Sequence, residues 1–349
     1  MTSAQPPRIL VVGAGAIGGV VAAGLVRGGR PAAVLTTNSA IAEALRTRGF
    51  EVSGKQSFSA RAPDVRTELR SGDGEFDVVF LAVQPPHVES AAASVVASLA
   101  PEGRVVCFQN GLCEERVARL VGRDRVVGAV VAWGASMIDP GRYERTSTGG
   151  FTVGRIEGPL DARIEEIAAM LEAIGPVALT ENLLGARWSK LAINCAISTL
   201  GTIAGDRVGS LMRRAFARRL ALDVMTEAVR VARSLGIRLQ KVAGTVDLEW
   251  LALPDLRVRR AGFGLAARHA VLISAGMKYR RLRSSMLAAI ERGRPPAVDF
   301  LNGEIVERAA EQGLPAIVNR TACEFVWQIA RGERKASLES LRELYDVTR

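Results

Sequence analysis

The sequence predicts an α/β protein in which an amino-terminal, doubly wound parallel sheet is followed by a mostly α-helical carboxyl-terminal half. Three observations carry that expectation. Short apolar runs alternate with helical stretches as far as residue 181, a glycine-rich turn joins the first run to an apolar helix, and beyond Asn182 only helical periodicity remains. The continuous apolar run 9–12 is the pattern of a parallel strand covered on both faces. A helix follows it and ends at Gly28-Gly29. Further strand-like runs fall at 32–36, 77–83, 104–108 and 126–132, with helical stretches between them. A segment at 148–153, a helix over 160–173 and a strand at 176–180 finish this half. Helices are then expected at 183–203, 210–235, 258–281, 284–292, 299–312 and 319–331.

A chain of 349 residues has room for two cores, and 48% hydrophobic with 23% charged residues is ordinary for a globular protein. The net charge of +10 comes from arginine, the lysines being only Lys55, Lys190, Lys241, Lys278 and Lys335. The chain has no five-residue basic run, and the patch at 257–260 lacks interleaved aromatic residues, so nucleic acid is not an expected partner. A basic surface suits small anionic ligands instead. Four cysteines without CxxC spacing read as reduced thiols, hence a cytoplasmic protein. Two histidines make a zinc site unexpected. The apolar stretch 9–26 would score as a membrane span, but Gly13, Gly15, Gly18, Gly19 and Gly24 point to a tight turn and a closely packed helix. No membrane partner is expected.

The segment Gly13-Ala14-Gly15-Ala16-Ile17-Gly18 matches GxGxxG. The pattern is weak alone, but here it follows a strand and opens a helix within a βαβ unit, which makes the fold Rossmann-type and the ligand a dinucleotide. Gly13 permits the turn, Gly15 lets a pyrophosphate approach the backbone, and Gly18 lets helix and strand pack closely. The amides of Ala16 and Ile17 lie at the helix amino terminus, where anions bind. The domain boundaries are therefore 1–181 for a dinucleotide-binding domain and 182–349 for an all-α substrate or dimerisation domain. After the second strand the chain reads Thr36-Thr37-Asn38-Ser39, with no carboxylate to repel a 2′-phosphate. This favours NADP (as NADPH), although no arginine stands there and Arg46 and Arg48 read equally well as a solvated helix face.

On an otherwise apolar helix, Lys190, Asn194 and Ser198 recur at i, i+4 and i+8 and so share one face. A structural network with Lys190 reaching a surface carboxylate is one reading. The other is catalytic. Hydride transfer to a ketone creates an alkoxide that needs a proton donor, and lysine can donate where arginine cannot.

These features resemble the ketopantoate reductase (2-dehydropantoate 2-reductase) family over nearly the whole chain. Further matches, in the same order, are Phe108-Gln109-Asn110-Gly111-Leu112, Ser284-Ser285-Met286-Leu287, and Gly293-Arg294-Pro295 leading into Val298-Asp299-Phe300-Leu301-Asn302-Gly303. The resemblance implies an NADPH-binding first domain and a helical domain closing over a branched 2-oxo acid. It makes Lys190 the general acid and places Asn110 near the nicotinamide ribose and the reacting centre. It gives Asn194 and Ser198 hydrogen-bonding positions and sets Ser285 on the substrate carboxylate. It implies cofactor contacts from Gly13, Gly15, Ala16, Ile17, Gly18, Asn38, Gln84 and Asn110.

Four positions depart from the family pattern. Ala297 replaces a glutamate that binds substrate or supports the lysine, Gln84 replaces a cofactor lysine, Ser198 replaces a second asparagine, and Asn38 replaces an arginine for the 2′-phosphate. The expected activity is NADPH-dependent reduction of a 2-oxo acid, either ketopantoate to pantoate or a related substrate. Two alternatives stay open: an NADP-dependent dehydrogenase of an opine-like or pathway-specific substrate, and a non-catalytic dinucleotide-binding protein. A homodimer is a further open arrangement. The stretch 241–283 is longer than in compact members and reads as a lid, a dimer contact or extra helix. Among neighbouring residues, Asp299 reads as a helix N-cap, Glu291 and Glu304 as solvated helix residues, and Trp188 as packing. His87, at a helix start, is a lesser candidate for ligand contact.

Overall fold

The computed structural model describes residues 6–70, 72–241, 247–254 and 263–349. The chain divides into two compact units, Met1–Leu183 and Leu184–Arg349. In the first unit the strands are β1 (Ile9–Val12), β2 (Ala32–Leu35), β3 (Phe50–Gly54), β4 (Phe58–Ala60), β5 (Asp64–Arg66), β6 (Phe76–Leu81), β7 (Leu99–Cys107), β8 (Val126–Val131), β9 (Ala135–Asp139), β10 (Arg142–Arg145), β11 (Phe151–Arg155) and β12 (Val177–Leu179). The helices between them are α1 (Ala16–Arg27), α2 (Ser39–Thr47), α3 (Val88–Val95), α4 (Cys113–Val121) and α5 (Ala162–Leu171).

Eight strands form one sheet in the order β12-β11-β8-β7-β6-β1-β2-β5. From β5 to β8 the neighbours pair in parallel, and β11 runs antiparallel to β8. After β1 the chain winds outward through β2 to β5, then returns to β6 on the other side of β1. The carboxyl ends of β1 and β6 therefore flank a topological switch point, where open α/β sheets bind ligands. All four residues of β1 are buried, as a continuous apolar run requires.

A second sheet, β4-β3-β10-β9, is absent from the sequence reading. It joins two distant stretches through parallel pairing of β3 with β10, Arg142 lying opposite Glu51. Helix α1 packs against strands of both sheets, so Val20, Val21, Ala22, Ala23 and Leu25 are all fully buried. This cover on two sides explains the apolar stretch with five glycines. A Cβ on Gly19 would lie 2.2 Å from the Tyr143 ring, and one on Gly24 would lie 2.5 Å from Ile174 Cγ1. Among the described residues no helix is long and apolar enough to cross a membrane.

The second unit is helical throughout its described residues. Its elements are α6 (Leu183–Asn194), a π-helical turn (Cys195–Thr199), α7 (Leu200–Ala204), α8 (Val208–Leu211), α9 (Ala215–Ser234), α10 (Leu248–Leu251), α11 (Phe263–Lys278), α12 (Ser285–Ile290), α13 (Asn302–Glu311), α14 (Ile317–Ala330) and α15 (Leu338–Val347). The helix expected over 183–203 is thus interrupted by the π turn, and part of that expected over 258–281 lies outside the described residues. Of the long stretch 241–283, residues 241, 247–254 and 263–283 are described, and they contain α10 and α11.

Two side-chain expectations are corrected. Asp299 caps no helix: it sits in a single 3₁₀ turn, Val298–Phe300, and its Oδ1 accepts from Trp327 Nε1 at 2.9 Å. Helix α13 begins three residues later, at Asn302. Glu304 is not solvated but 2% exposed, and it is paired with Arg308 at 3.1 Å across one helical turn. Glu291 is exposed and paired with Arg283, and Trp188 is buried as a packing residue.

Candidate active site

In the first unit, the candidate cofactor residues gather at the carboxyl ends of neighbouring parallel strands. Gly13 follows β1 with φ +94°, a left-handed conformation open to glycine, and its amide donates to the Leu35 carbonyl at 2.8 Å. A Cβ on Gly18 would lie 1.9 Å from the Gly13 carbonyl oxygen and 2.8 Å from Ala82 Cβ, so this position sets helix-to-strand contact. A Cβ on Gly15 would meet nothing within 4 Å. The space beside Gly15 is therefore open, and α1 starts there with no side-chain cap on its amides, Ala16 being its first residue and Ile17 its second. Open space against an uncapped helix amino terminus fits a pyrophosphate.

The turn is braced from the second sheet. Tyr143 of β10 is fully buried, and its hydroxyl donates to the Ala14 carbonyl at 3.0 Å. Burial pushes the phenol well above its ordinary pKa, which keeps it a donor.

At the end of β2, Thr37, Asn38 and Ser39 are exposed. Asn38 is the N-cap of α2: its Oδ1 accepts from the Ile41 amide at 3.0 Å. The arginines nearby are engaged elsewhere. Arg46 donates to the Val65 carbonyl, Arg48 to the Pro140 carbonyl, and Arg66 pairs with Asp64 and Asp73.

Gln84 is exposed just beyond β6, where its backbone leads into a short 3₁₀ turn containing His87, which is exposed too. Beyond β7, Asn110 is exposed and is followed by Gly111 at φ +94°. The residue before it, Gln109, is buried, and its Nε2 donates to the carbonyls of Leu81 at 3.0 Å and Val83 at 3.1 Å. Gln109 thus ties the end of β7 to the end of β6 and presents Asn110 outward. Neither Tyr143 nor Gln109 was singled out from the sequence. Gln109 stood inside a recognised motif, whereas nothing local marked Tyr143.

In the second unit, Lys190, Asn194 and Ser198 are all half-buried, while Arg187, Trp188, Ser189, Leu191, Ala192, Cys195 and Ala196 are buried. Ile193 and Ile197 are half-buried beside them, so the polar stripe shares the part-open face of a mostly buried helix with two apolar neighbours. The π turn begins directly after Asn194 and contains Ser198. Such turns are rare and occur mostly as single-turn bulges, frequently at functional sites. Burial pushes the Cys195 thiol in this turn well up, so it stays protonated and inert.

Ser285 is the exposed first residue of α12, and the buried Ser284 before it is the cap, its Oγ accepting from the Leu287 amide at 3.3 Å. Thr202 Oγ1 lies 2.8 Å from the Ser198 carbonyl and 2.7 Å from Ser284 Oγ. Since a hydroxyl has one proton, Thr202 donates to Ser198 and Ser284 donates to Thr202. This relay holds the segment bearing Ser198 to the one bearing Ser285. Ala297 is half-buried at the entrance to the 3₁₀ turn.

Comparison with known proteins gives the family. The model described as ketopantoate reductase PanE/ApbA matches residues 9–158, and its C-terminal counterpart matches residues 182–330. The chain belongs to the ketopantoate reductase family. It is thereby an oxidoreductase of the keto/hydroxyl class. A 2-dehydropantoate 2-reductase of Archaeoglobus fulgidus is 27% identical over 327 residues, covering 93% of this chain and 98% of its own. One from Pyrococcus horikoshii is 25% identical, covering 89% and 94%. Among solved structures, a PanE/ApbA family ketopantoate reductase from Ralstonia eutropha superposes with a TM-score of 0.78 at 24% identity, covering 94% of this chain and all of that one. A D-mandelate dehydrogenase bound to NADH and anilino(oxo)acetate reaches 0.79 at 17% identity, covering 93% and 98%, and shares the fold.

Proposed function

We propose that this ketopantoate reductase family member reduces a 2-oxo acid to the 2-hydroxy acid with NADPH, taking ketopantoate or a related acid. The observation that carries the reading is the half-open polar stripe Lys190, Asn194 and Ser198 on a mostly buried, otherwise largely apolar helix. The first unit is the dinucleotide-binding domain and the second the substrate domain. Bound NADPH supplies the hydride. Lys190 Nζ holds the proton for the developing alkoxide, a task open to lysine because its ammonium can release a proton near neutral pH once desolvated. Asn110, Asn194 and Ser198 hydrogen-bond the substrate, and Ser285 receives its carboxylate. A substrate so anchored gains proximity and electrostatic stabilisation together. Four thiols without a disulfide suit the cytoplasm.

The missing carboxylate over Thr36 to Ser39 supports NADPH, with Thr37, Ser39 and the Asn38 amide as donors. NADH is the second reading, favoured by the engagement of Arg46, Arg48 and Arg66 with other partners. For the substrate, Ala297 supports a 2-oxo acid that needs no carboxylate partner at that point.

The test follows oxidation of NADPH and NADH with ketopantoate and a panel of 2-oxo acids. Lys190→Ala is expected to lower kcat by about 10²–10⁴-fold while cofactor affinity stays at the wild-type value. A variant with wild-type kcat overturns the reading. Ala297→Glu is expected to raise kcat/KM for ketopantoate relative to acids without a hydroxyl, and an unchanged ratio removes Ala297 from the specificity argument.

A further inference from the structure

Beneath the stripe lies a fully buried chain of polar side chains with no part in the chemistry just proposed. It starts in the π turn, where Thr199 Oγ1 donates to Asn302 Oδ1. Asn302 Nδ2 donates back to the turn at the Cys195 carbonyl, 3.4 Å away, and onward to Asn319 Oδ1 at 2.9 Å. Asn319 Nδ2 donates to Glu227 Oε2 at 2.7 Å and to the Val224 carbonyl at 3.2 Å. Glu227 then accepts the backbone amides of Val318 and Asn319, both at 2.9 Å, and so satisfies the start of α14 from the side of α9. Thr199, Asn302 and Asn319 are 0% exposed and Glu227 is 2% exposed.

The directions are consistent from end to end. Asn302 uses its carbonyl on one residue of the π turn and its amide on another, so both ends of Cys195–Thr199 are held by one side chain. A π turn leaves the ordinary i→i−4 ladder and persists where its surroundings over-determine it. The turn begins directly after Asn194 and carries Ser198 itself, so its width sets the angle between Ser198 and the pair Lys190 and Asn194. An ordinary α-helical turn there would rotate Ser198 and the following α7, with its relay from Thr202 to Ser284, relative to Lys190.

We infer that Asn302, anchored through Asn319 to Glu227, is a positioning residue that holds the Cys195–Thr199 π turn and thereby keeps Ser198 and Ser285 in phase with Lys190. The inference rests on the proposed 2-oxo acid reduction. The three residues come from α9, α13 and α14, so the phase of the stripe is held by helices that carry none of its members.

The experiment uses the full chain and the 2-oxo acid that the wild type turns over best, with Thr199→Val, Thr199→Ser and Asn302→Leu. Thr199→Val keeps the shape and removes one bond, Thr199→Ser restores the hydroxyl, and Asn302→Leu removes both arms. Expected results are a fall in kcat of about 10- to 100-fold for Thr199→Val and Asn302→Leu, because small misplacements of reacting groups cost that much. Recovery in Thr199→Ser and NADPH affinity within twofold of wild type are expected too. Folded Thr199→Val protein with wild-type kcat and KM overturns the inference, whatever its melting temperature. That variant also decides the matter if Asn302→Leu does not fold. Loss in Thr199→Val without recovery in Thr199→Ser overturns it as well. A wild type inert towards every 2-oxo acid overturns the functional reading and this inference together, whereas an active wild type with indifferent variants overturns the inference alone.

Discussion

Replacing Tyr143 with phenylalanine removes one oxygen atom and, with it, the bond that ties the second sheet to the glycine turn. The ring is fully buried between Gly19 and its neighbours, so the variant keeps its packing and loses only the donation to the Ala14 carbonyl at 3.0 Å. A buried carbonyl deprived of a partner costs about 1–3 kcal/mol, and a neutral hydrogen bond contributes about 0.5–1.5 kcal/mol net, so a loss of about 1–2 kcal/mol is expected. For a unit of this size that lowers the melting temperature by about 2–8 °C. Because Ala14 belongs to the turn proposed to hold the pyrophosphate, NADPH affinity should weaken too, by up to about five- to thirtyfold if the same 1–2 kcal/mol is lost, at 1.4 kcal/mol per decade.

The pH dependence adds a second signature. The buried phenol has its pKa raised in the folded protein, while the unfolded chain ionises near the ordinary value of about 10. Its contribution to stability is complete below pH 10 and declines as pH rises beyond it, because only the unfolded state gains by releasing the proton. The stability gap between wild type and Tyr143→Phe should therefore narrow above about pH 10. Thermal unfolding from neutral to alkaline pH, with NADPH titration at neutral pH, measures all three. A variant matching wild type in melting temperature and affinity would refute the reasoning.

Gly15→Ala and Gly18→Ala should separate cofactor binding from folding. The added methyl at Gly15 meets no atom within 4 Å, so stability should hold while NADPH affinity falls by about tenfold or more, read by calorimetry. At Gly18 the methyl meets the Gly13 carbonyl at 1.9 Å, and unfolding should show a loss of about 1–3 kcal/mol or more. Arg145 is 3% exposed, donates to the carbonyls of Ile174 and Gly149, and lies 4.8 Å from the Trp133 ring centre. Arg145→Lys cannot span both carbonyls and should destabilise by about 2–4 kcal/mol in denaturant titration.

Most strands that could be read from the sequence are nearly or fully buried, the short edge strand β12 being the exception. The run 9–12 matches β1 residue for residue because four consecutive core positions leave a continuous apolar signature. The second sheet left none: β3 buries only Phe50 and Val52, its neighbour β4 spans three residues, and its other partner, β10, lies about ninety positions later. The stripe of Lys190, Asn194 and Ser198 was legible because helical spacing is local. The π turn was not, since Cys195 to Thr199 continues the apolar pattern of its helix and its cause, Asn302, is remote in sequence. Asp299 and Glu304 were misread for a related reason. Local pattern alone suggested a cap and a solvated carboxylate, whereas Trp327 draws Asp299 aside and burial with Arg308 encloses Glu304.

The double cover of α1 also bears on the order in which the chain acquires its fold. Its outer side is closed by strands from two places, and the later of them, β10, ends at Arg145. While the chain is being made, the glycine turn and the main-sheet face of α1 can form early, but the side around Gly19 stays uncovered until Tyr143 has emerged and β10 has paired with β3. Over that interval the nascent chain displays an apolar helix with no polar face to shield it, a species prone to association. Nascent chains stopped before residue 140 should therefore bind chaperones and resist dilution from denaturant, whereas chains continued through the first unit should not.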